Sequence, residues 1–206
     1  MPVLEFDNCT LEYQIGDCLE LMKDIPDKSI DLVLTDPPYA VDYAEWDVFN
    51  NEWFVEAMRI GKTLAFTSGH KCMYKYPEPN CIIALVRPGS IQLQKKGGGF
   101  SHWEPVLVYG DKLPNVDMKI IHAQTDFSNE GHPCSKGLDG FVWLCEKLSK
   151  EGDTILDCFL GSGTTLQACR KTGRNGIGFE INPDYEPIIR KRIMADTKTI
   201  WQFGGE

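Results

Sequence analysis

The feature that most restricts the fold of this chain is its alternation of short apolar runs with helical patterns. Because strands that alternate with helices build parallel sheets, this alternation is typical of α/β proteins. The predicted strands are Leu11–Ile15, Ile30–Thr35, Thr63–Thr67, Cys81–Val86, Pro105–Tyr109, Thr154–Asp157 and Gly176–Glu180. The predicted helices are Cys18–Ile25, Glu52–Ile60, Leu138–Lys150, Thr164–Thr172 and Asp184–Ala195.

The composition is that of an ordinary folded protein, with 42% hydrophobic and 25% charged residues in 206 positions. We therefore expect a single domain over residues 1–206. The amino terminus lacks the basic start and apolar run of a signal peptide, and no apolar run reaches the length of a membrane span. The eight cysteines form no C-x-x-C pair and do not cluster with the four histidines. We expect a cytoplasmic protein with reduced thiols, no membrane partner and no metal.

The net charge of −9 is unfavourable for binding nucleic acid, because an acidic surface repels phosphate. Local basic groups do occur. Arg87, Lys95 and Lys96 flank the glycine run at residues 97–99, within the segment Arg87–Trp103 that also contains two aromatic residues. This segment is the best candidate for DNA contact, and a hairpin that only links two strands is the alternative.

Three of the predicted strands end at an acid, namely Asp17, Asp36 and Glu180. In open parallel sheets ligands bind outside the carboxyl ends of the strands, so these acids are expected to face one crevice. Acids at strand ends also cap helices and form turns. For each acid taken alone, this structural role is at least as probable as a role in binding a ligand.

The glycine-rich stretch DTILDCFLGSGTT, Asp153–Thr165, predicts a buried strand, a tight turn and the start of a helix. Gly161 and Gly163 allow close approach of the backbone to a ligand. A dinucleotide fingerprint would need a third glycine where Leu166 stands, and a phosphate loop would need a lysine that is missing. Glu180 does follow at about the 20 residues expected of a ribose-binding acid.

The stretch LVLTDPPYA, Leu32–Ala40, ends a probable buried strand with an acid, two prolines and a tyrosine. Together, TDPPY and the later DCFLGSGTT resemble the amino-methyltransferases that use S-adenosylmethionine to methylate exocyclic amino groups of DNA bases. Their order resembles the circularly permuted beta class. The resemblance implies a doubly wound, mostly parallel, seven-stranded sheet with one antiparallel strand.

The resemblance implies that Asp36, Pro37, Pro38 and Tyr39 carry the chemistry. The amino group of adenine is a poor nucleophile, because its lone pair is delocalised into the ring. The carboxylate of Asp36 and the carbonyl of Pro37 can accept hydrogen bonds from the two N–H groups of this amino group. The proline rings hold these acceptors rigidly. Tyr39 offers a face on which the extruded base can stack. For this stretch alone, a turn after a strand is the simpler interpretation.

The resemblance also implies a set of residues that bind S-adenosylmethionine. Glu180 would accept hydrogen bonds from the ribose hydroxyls, and Asp17 would accept one from the adenine amino group of the cofactor. The complete predicted set is Asp17, His132, Ser135, Lys136, Asp157, Phe159, Gly161, Gly163, Thr164, Thr165 and Glu180.

These observations predict a DNA methyltransferase that modifies N6 of adenine, of the kind found in restriction-modification systems. Aspartate in the first catalytic position favours adenine over cytosine by resemblance. The chain has little room for a separate target-recognition domain, so we expect a short site, relaxed specificity, or a second subunit such as a homodimer partner. The alternatives are methylation of cytosine N4 or RNA, a non-catalytic subunit, and a nicotinamide dehydrogenase.

Overall fold

The computed structural model describes residues 3–38, 51–70, 72–86, 92–93, 100–110, 113–115, 117–120 and 137–195. Within these ranges no helix combines the length and the apolar character needed to cross a membrane. The strands are β1 (Val3–Phe6), β2 (Cys9–Ile15), β3 (Ile30–Thr35), β4 (Gly61–Thr67), β5 (Cys81–Val86), β6 (Gln92–Leu93), β7 (Phe100–Ser101), β8 (Trp103–Gly110), β9 (Met118–Ile120), β10 (Thr154–Asp157) and β11 (Asn175–Glu180). The helices are α1 (Cys18–Met22), α2 (Glu52–Ile60), α3 (Leu138–Leu148), α4 (Thr164–Thr172) and α5 (Glu186–Met194).

The main sheet has nine strands in the order β1-β2-β11-β10-β3-β4-β8-β5-β9. Neighbours from β2 to β4 are parallel, and β8 runs antiparallel to both β4 and β5. The seven predicted strands form the centre of this sheet with β8 as their one antiparallel member, which confirms the predicted fold class. The two further strands, β1 and β9, lie at the edges; β6 pairs with β7 in a separate small hairpin.

The edge strands were missed because neither has a clear apolar pattern. β1 is four residues long with alternating exposed and half-buried positions, and β9 is three residues long and has no buried position. A short edge strand is paired on one side only, so its sequence carries little of the periodicity that marks a buried strand.

Helices cover both faces of the sheet, as a doubly wound fold requires. On one face α3, α4 and α5 bury residues such as Leu144, Leu166 and Ile189. On the other face α1 and α2 form a second cluster, in which the ring of Trp53 meets that of Phe66 edge-on at 5.1 Å. Trp53 and Phe54 of α2 are therefore buried against the sheet.

Helix ends differ from the predicted bounds where proline or a capping side chain intervenes. α5 begins at Glu186 rather than Asp184, because Pro183–Tyr185 form a separate 3-10 turn that Asn182 caps by accepting from the amide of Asp184 at 3.0 Å. α1 ends at Met22, before the proline at position 26.

Candidate active site

Acidic side chains follow four consecutive strands of the sheet. Asp17 comes after β2, Glu180 ends β11, Asp157 ends β10, and Asp36 comes after β3. These strands are parallel, so all four acids lie at the same edge of the sheet. The acids predicted to lie at strand ends therefore stand on the same side of the sheet, at the carboxyl ends of its parallel strands, which we call the carboxyl edge.

Asp36 is half-buried and is held by the neighbouring strand. Its Oδ1 accepts a hydrogen bond from the hydroxyl of Thr67, the last residue of β4. Pro37 is buried and Pro38 is half-buried, which fits a short rigid segment leading away from β3. The structure thus places the predicted catalytic acid at the carboxyl edge. Tyr39 lies outside the described residues.

Asp157 is buried between the end of β3 and the glycine turn that precedes α4. Its Oδ1 accepts from the hydroxyl of Thr35 at 2.5 Å and from the amide of Phe159 at 3.0 Å. Its Oδ2 accepts from the hydroxyl of Thr165, in the first turn of α4. Burial raises the pKa of Asp157 to about 6, although these hydrogen bonds oppose the rise. The carboxylate therefore links β3 to the glycine turn.

The glycine turn between β10 and α4 contains two glycines with left-handed backbone angles. Gly161 has φ +55° and Gly163 has φ +88°, and both angles lie in a region that favours glycine. The amide of Gly161 donates to Oε2 of Glu180 at 2.7 Å, and the amide of Leu160 donates to the carbonyl of Phe179 at 2.8 Å. The turn is therefore fixed against the end of β11.

Glu180 lies beside this turn and is only 7% exposed. Besides Gly161, its carboxylate accepts at Oε1 from the amide of Asn182 at 2.8 Å. Burial raises the pKa of Glu180, and the amide hydrogen bonds oppose that rise. A carboxylate oxygen has lone pairs for a second hydrogen bond, so Glu180 can still accept from a ligand hydroxyl.

Asp17 has a local structural role as well as its place at the carboxyl edge. Its Oδ1 accepts from the amide of Leu19 at 2.8 Å and so caps α1. The amide of Gly16, directly before it, donates to the carbonyl of Glu180 at 2.8 Å. The capping interpretation is therefore observed, and the exposed side chain also stands next to the strand that bears Glu180.

The remaining predicted site residues divide into two groups. Phe159, Thr164 and Thr165 lie on the turn or the first turn of α4, and the hydroxyl of Thr164 accepts from Arg192 at 2.5 Å. The other group lies outside the described residues and consists of His132, Ser135, Lys136, Arg87, Lys95 and Lys96.

Sequence reasoning missed two buried threonines, Thr35 and Thr67, which end the neighbouring strands β3 and β4. Each donates its hydroxyl hydrogen to an acid of the site. Threonine is common in strands whatever its role, so only the pairing of distant elements reveals these contacts.

Comparison with known proteins gives matches over most of the chain. A family model described as a DNA methylase matches residues 94–191. The type II methyltransferase M1.MboII of Moraxella bovis is 27% identical, in an alignment covering 82% of this chain and 90% of that protein. The type II methyltransferase M.HpaI of Haemophilus parainfluenzae is 25% identical, and its alignment covers 88% of this chain and 73% of that protein.

Solved structures show the same fold. The M1.HpyAVI–SAM complex superimposes with a TM-score of 0.69 at 20% identity. The superposition covers 88% of this chain and 99% of that chain. The PvuII DNA methyltransferase, described as cytosine-N4-specific, has a TM-score of 0.70 at 17% identity, covering 91% of this chain and 87% of that chain.

The family model covers the glycine turn and Glu180, while Asp36 and its prolines lie ahead of the matched residues. The type II relatives align over most of the chain. Motifs, fold and matches agree, and they make the chain similar to the DNA amino-methyltransferases that act on N6 of adenine or N4 of cytosine.

Proposed function

We propose that this protein transfers a methyl group from S-adenosylmethionine to N6 of adenine in DNA. One observation carries the proposal. Asp36 and the glycine turn follow adjacent parallel strands, paired through Val33 and Leu156, and Asp157 joins them by hydrogen bonds to both sides. An acceptor for an amino group and a turn suited to the cofactor therefore stand side by side.

The described residues fit S-adenosylmethionine. Glu180 offers a carboxylate for the ribose hydroxyls, Gly161 and Gly163 let the backbone come close, and α4 begins with amides available to a carboxylate. The proposal is supported by the shared fold, because M1.HpyAVI was solved as a complex with SAM. When bound, the cofactor supplies an electrophilic methyl group on a sulfonium.

The side chains of this protein act by position and charge. We propose that Asp36 accepts one N–H of the target amino group and that the carbonyl of Pro37 accepts the other, which draws the nitrogen toward tetrahedral geometry. As the nitrogen is alkylated it becomes positively charged, and the nearby carboxylate stabilises that charge. A strong base is not needed beforehand, because the amine becomes acidic only as the bond to carbon forms.

Cytosine N4 is the second candidate, and one observation favours it: the PvuII enzyme, which shares this fold, is cytosine-N4-specific. Aspartate at position 36 favours adenine by resemblance. To separate the two, DNA and RNA incubated with the protein and S-adenosylmethionine are digested to nucleosides and analysed by mass spectrometry. N6-methyl-2′-deoxyadenosine from DNA is expected; N4-methyl-2′-deoxycytidine would replace the adenine proposal, and methylation of RNA alone would replace DNA as substrate.

Replacing Asp36 with alanine tests whether the acid is catalytic. We expect Asp36→Ala to reduce methyl transfer by at least about 1,000-fold, because a charged acceptor at the reacting group is lost. Cofactor affinity, measured by isothermal titration, should stay within about threefold, since Asp36 belongs to the catalytic side. An unmodified protein that binds the cofactor but methylates no nucleic acid would instead support a non-catalytic subunit.

We further propose that the chain acts as a single domain that recognises a short or relaxed site, alone or with a second subunit. This is supported by the matched relatives, whose length the chain spans for the most part. Sequencing that detects modified bases in DNA from expressing cells reports the recognised sequence.

A further inference from the structure

Thr67 lies at the end of a core strand and points its hydroxyl at the proposed catalytic acid. The residue is fully buried, and its Oγ1 donates to Oδ1 of Asp36. β3 and β4 are paired in register with Thr35 opposite Phe66, so Thr67 stands beside Asp36 at the carboxyl edge. The contact joins residues that are 31 positions apart in the chain.

The backbone of Thr67 is held on both sides. β4 pairs with β3 on one side and with β8 on the other, where Thr67 lies opposite Val106. The next amide, that of Ser68, donates to the carbonyl of Pro105 at 2.9 Å. Threonine is also stiff about χ1 because its side chain branches at Cβ. Its hydroxyl is therefore a fixed donor.

Asp36 is placed differently, since it stands just after its strand and before two prolines. The prolines hold the backbone, but they do not set the rotation of the carboxylate about its own bonds. A hydrogen bond to one carboxylate oxygen removes that freedom and fixes the direction of the other oxygen. Transfer rates are sensitive to such placement, and an error of about 1 Å can cost roughly 100-fold.

We propose that Thr67 is a positioning residue, which orients the carboxylate of Asp36 toward the amino group of the target base. This inference rests on the proposed function and deepens it. Thr67 acts through Asp36 and does not itself touch substrate. Its hydroxyl is the functional part, and its methyl group serves only the core.

The test compares Thr67→Val with Thr67→Ser. Valine has nearly the shape of threonine without the hydroxyl, and serine keeps the hydroxyl without the methyl. We expect Thr67→Val to lower the single-turnover rate constant for methyl transfer about 10- to 100-fold, with cofactor affinity and melting temperature close to those of the unmodified protein. Thr67→Ser should recover the rate to within about fivefold.

Thr63→Val is the matched control. Thr63 lies on the same strand and the same face, is 2% exposed, and sits at the opposite end of β4 from Asp36. The Thr63→Val variant should transfer methyl groups at the same rate as the unmodified protein. Equal rates for Thr67→Val and the unmodified protein would overturn the proposal, and so would a loss that Thr67→Ser shares or that accompanies weaker cofactor binding. An unmodified protein without activity would instead refute the proposed function.

Discussion

At the scale of single residues, the acids of the carboxyl edge differ in what surrounds them. Asp17 is exposed and caps a helix, Asp36 is half-buried beside Thr67, and Asp157 is enclosed by two threonine hydroxyls and an amide. The resemblance assigned Asp157 to the cofactor. Asp157 accepts hydrogen bonds from Thr35, Thr165 and the amide of Phe159, so we propose that it supports the glycine turn from behind.

The buried carboxyl group of Asp157 should make stability depend on pH. Its pKa of about 6 in the folded protein exceeds the unfolded value near 3.9, so the folded state holds the proton more tightly. The resulting stabilisation is complete below the unfolded pKa and is lost as pH rises through about 6. Asp157→Asn cannot titrate and should lack this dependence.

The measurement is urea unfolding of both proteins between pH 5 and pH 8. The free energy of unfolding of the unmodified protein, relative to that of Asp157→Asn, should fall with rising pH by on the order of 1–2 kcal/mol. Taking the difference removes the contribution of acids that both proteins share. A difference that stays constant or rises would contradict the raised pKa.

At the scale of elements, most helices and strands could be predicted because their residues carry a local pattern. β3, β5 and β10, as well as α2 and α4, have the predicted bounds. The prediction of helix bounds failed at Pro183, where a 3-10 turn replaces the start of the predicted helix. The prediction of strands failed for β9, a short edge strand without apolar periodicity. The turn before α4 was predictable because Gly161 and Gly163 are needed at left-handed φ.

Alanine substitutions at two glycines can separate the loss of stability caused by backbone strain from the loss of cofactor binding. Gly163 and Gly152 have similar left-handed angles, φ +88° and φ +81°, and an alanine Cβ would meet no atom closer than 3.4 Å at either position. Each alanine substitution should cost about 1–2 kcal/mol of stability. Only Gly163→Ala should also weaken cofactor binding, because Gly152 precedes β10 at the opposite edge of the sheet.

Thermal unfolding and isothermal titration with S-adenosylmethionine check this pair. We expect similar drops in melting temperature and an affinity loss of about tenfold or more for Gly163→Ala alone. Equal affinities in the two variants would show that the turn before α4 does not hold the cofactor.

At the scale of the whole molecule, a net charge of −9 has to be reconciled with the proposed DNA substrate. Aromatic contact can supply part of the affinity, since stacking on bases does not depend on surface charge. Trp103 begins β8 opposite the end of β5, which places it at the carboxyl edge, and its ring meets that of His70 at 4.7 Å and 89°. This pair stands two strands away from Asp36.

We therefore expect Trp103→Ala to weaken DNA binding about 5- to 100-fold, the usual cost of removing an aromatic partner of a base. Fluorescence anisotropy of a labelled duplex in the presence of S-adenosylhomocysteine measures the affinity. Ile82→Ala is the control, because Ile82 is 39% exposed and lies near the start of β5, at the end of that strand opposite the Trp103 pairing. Equal affinities for Trp103→Ala and Ile82→Ala would exclude the Trp103 contact.

The sequence by itself determined the alternation of strands and helices, the acids at strand ends and the glycine turn. These features arise from contacts within a few residues, so a local stretch of the chain encodes each of them. The tertiary structure decided which strands are neighbours, and therefore which side chains hold the acids. Thr35 donates to Asp157, which lies 122 positions further along the chain. When two buried polar groups are so far apart in the sequence, the packing of the whole sheet decides whether they pair.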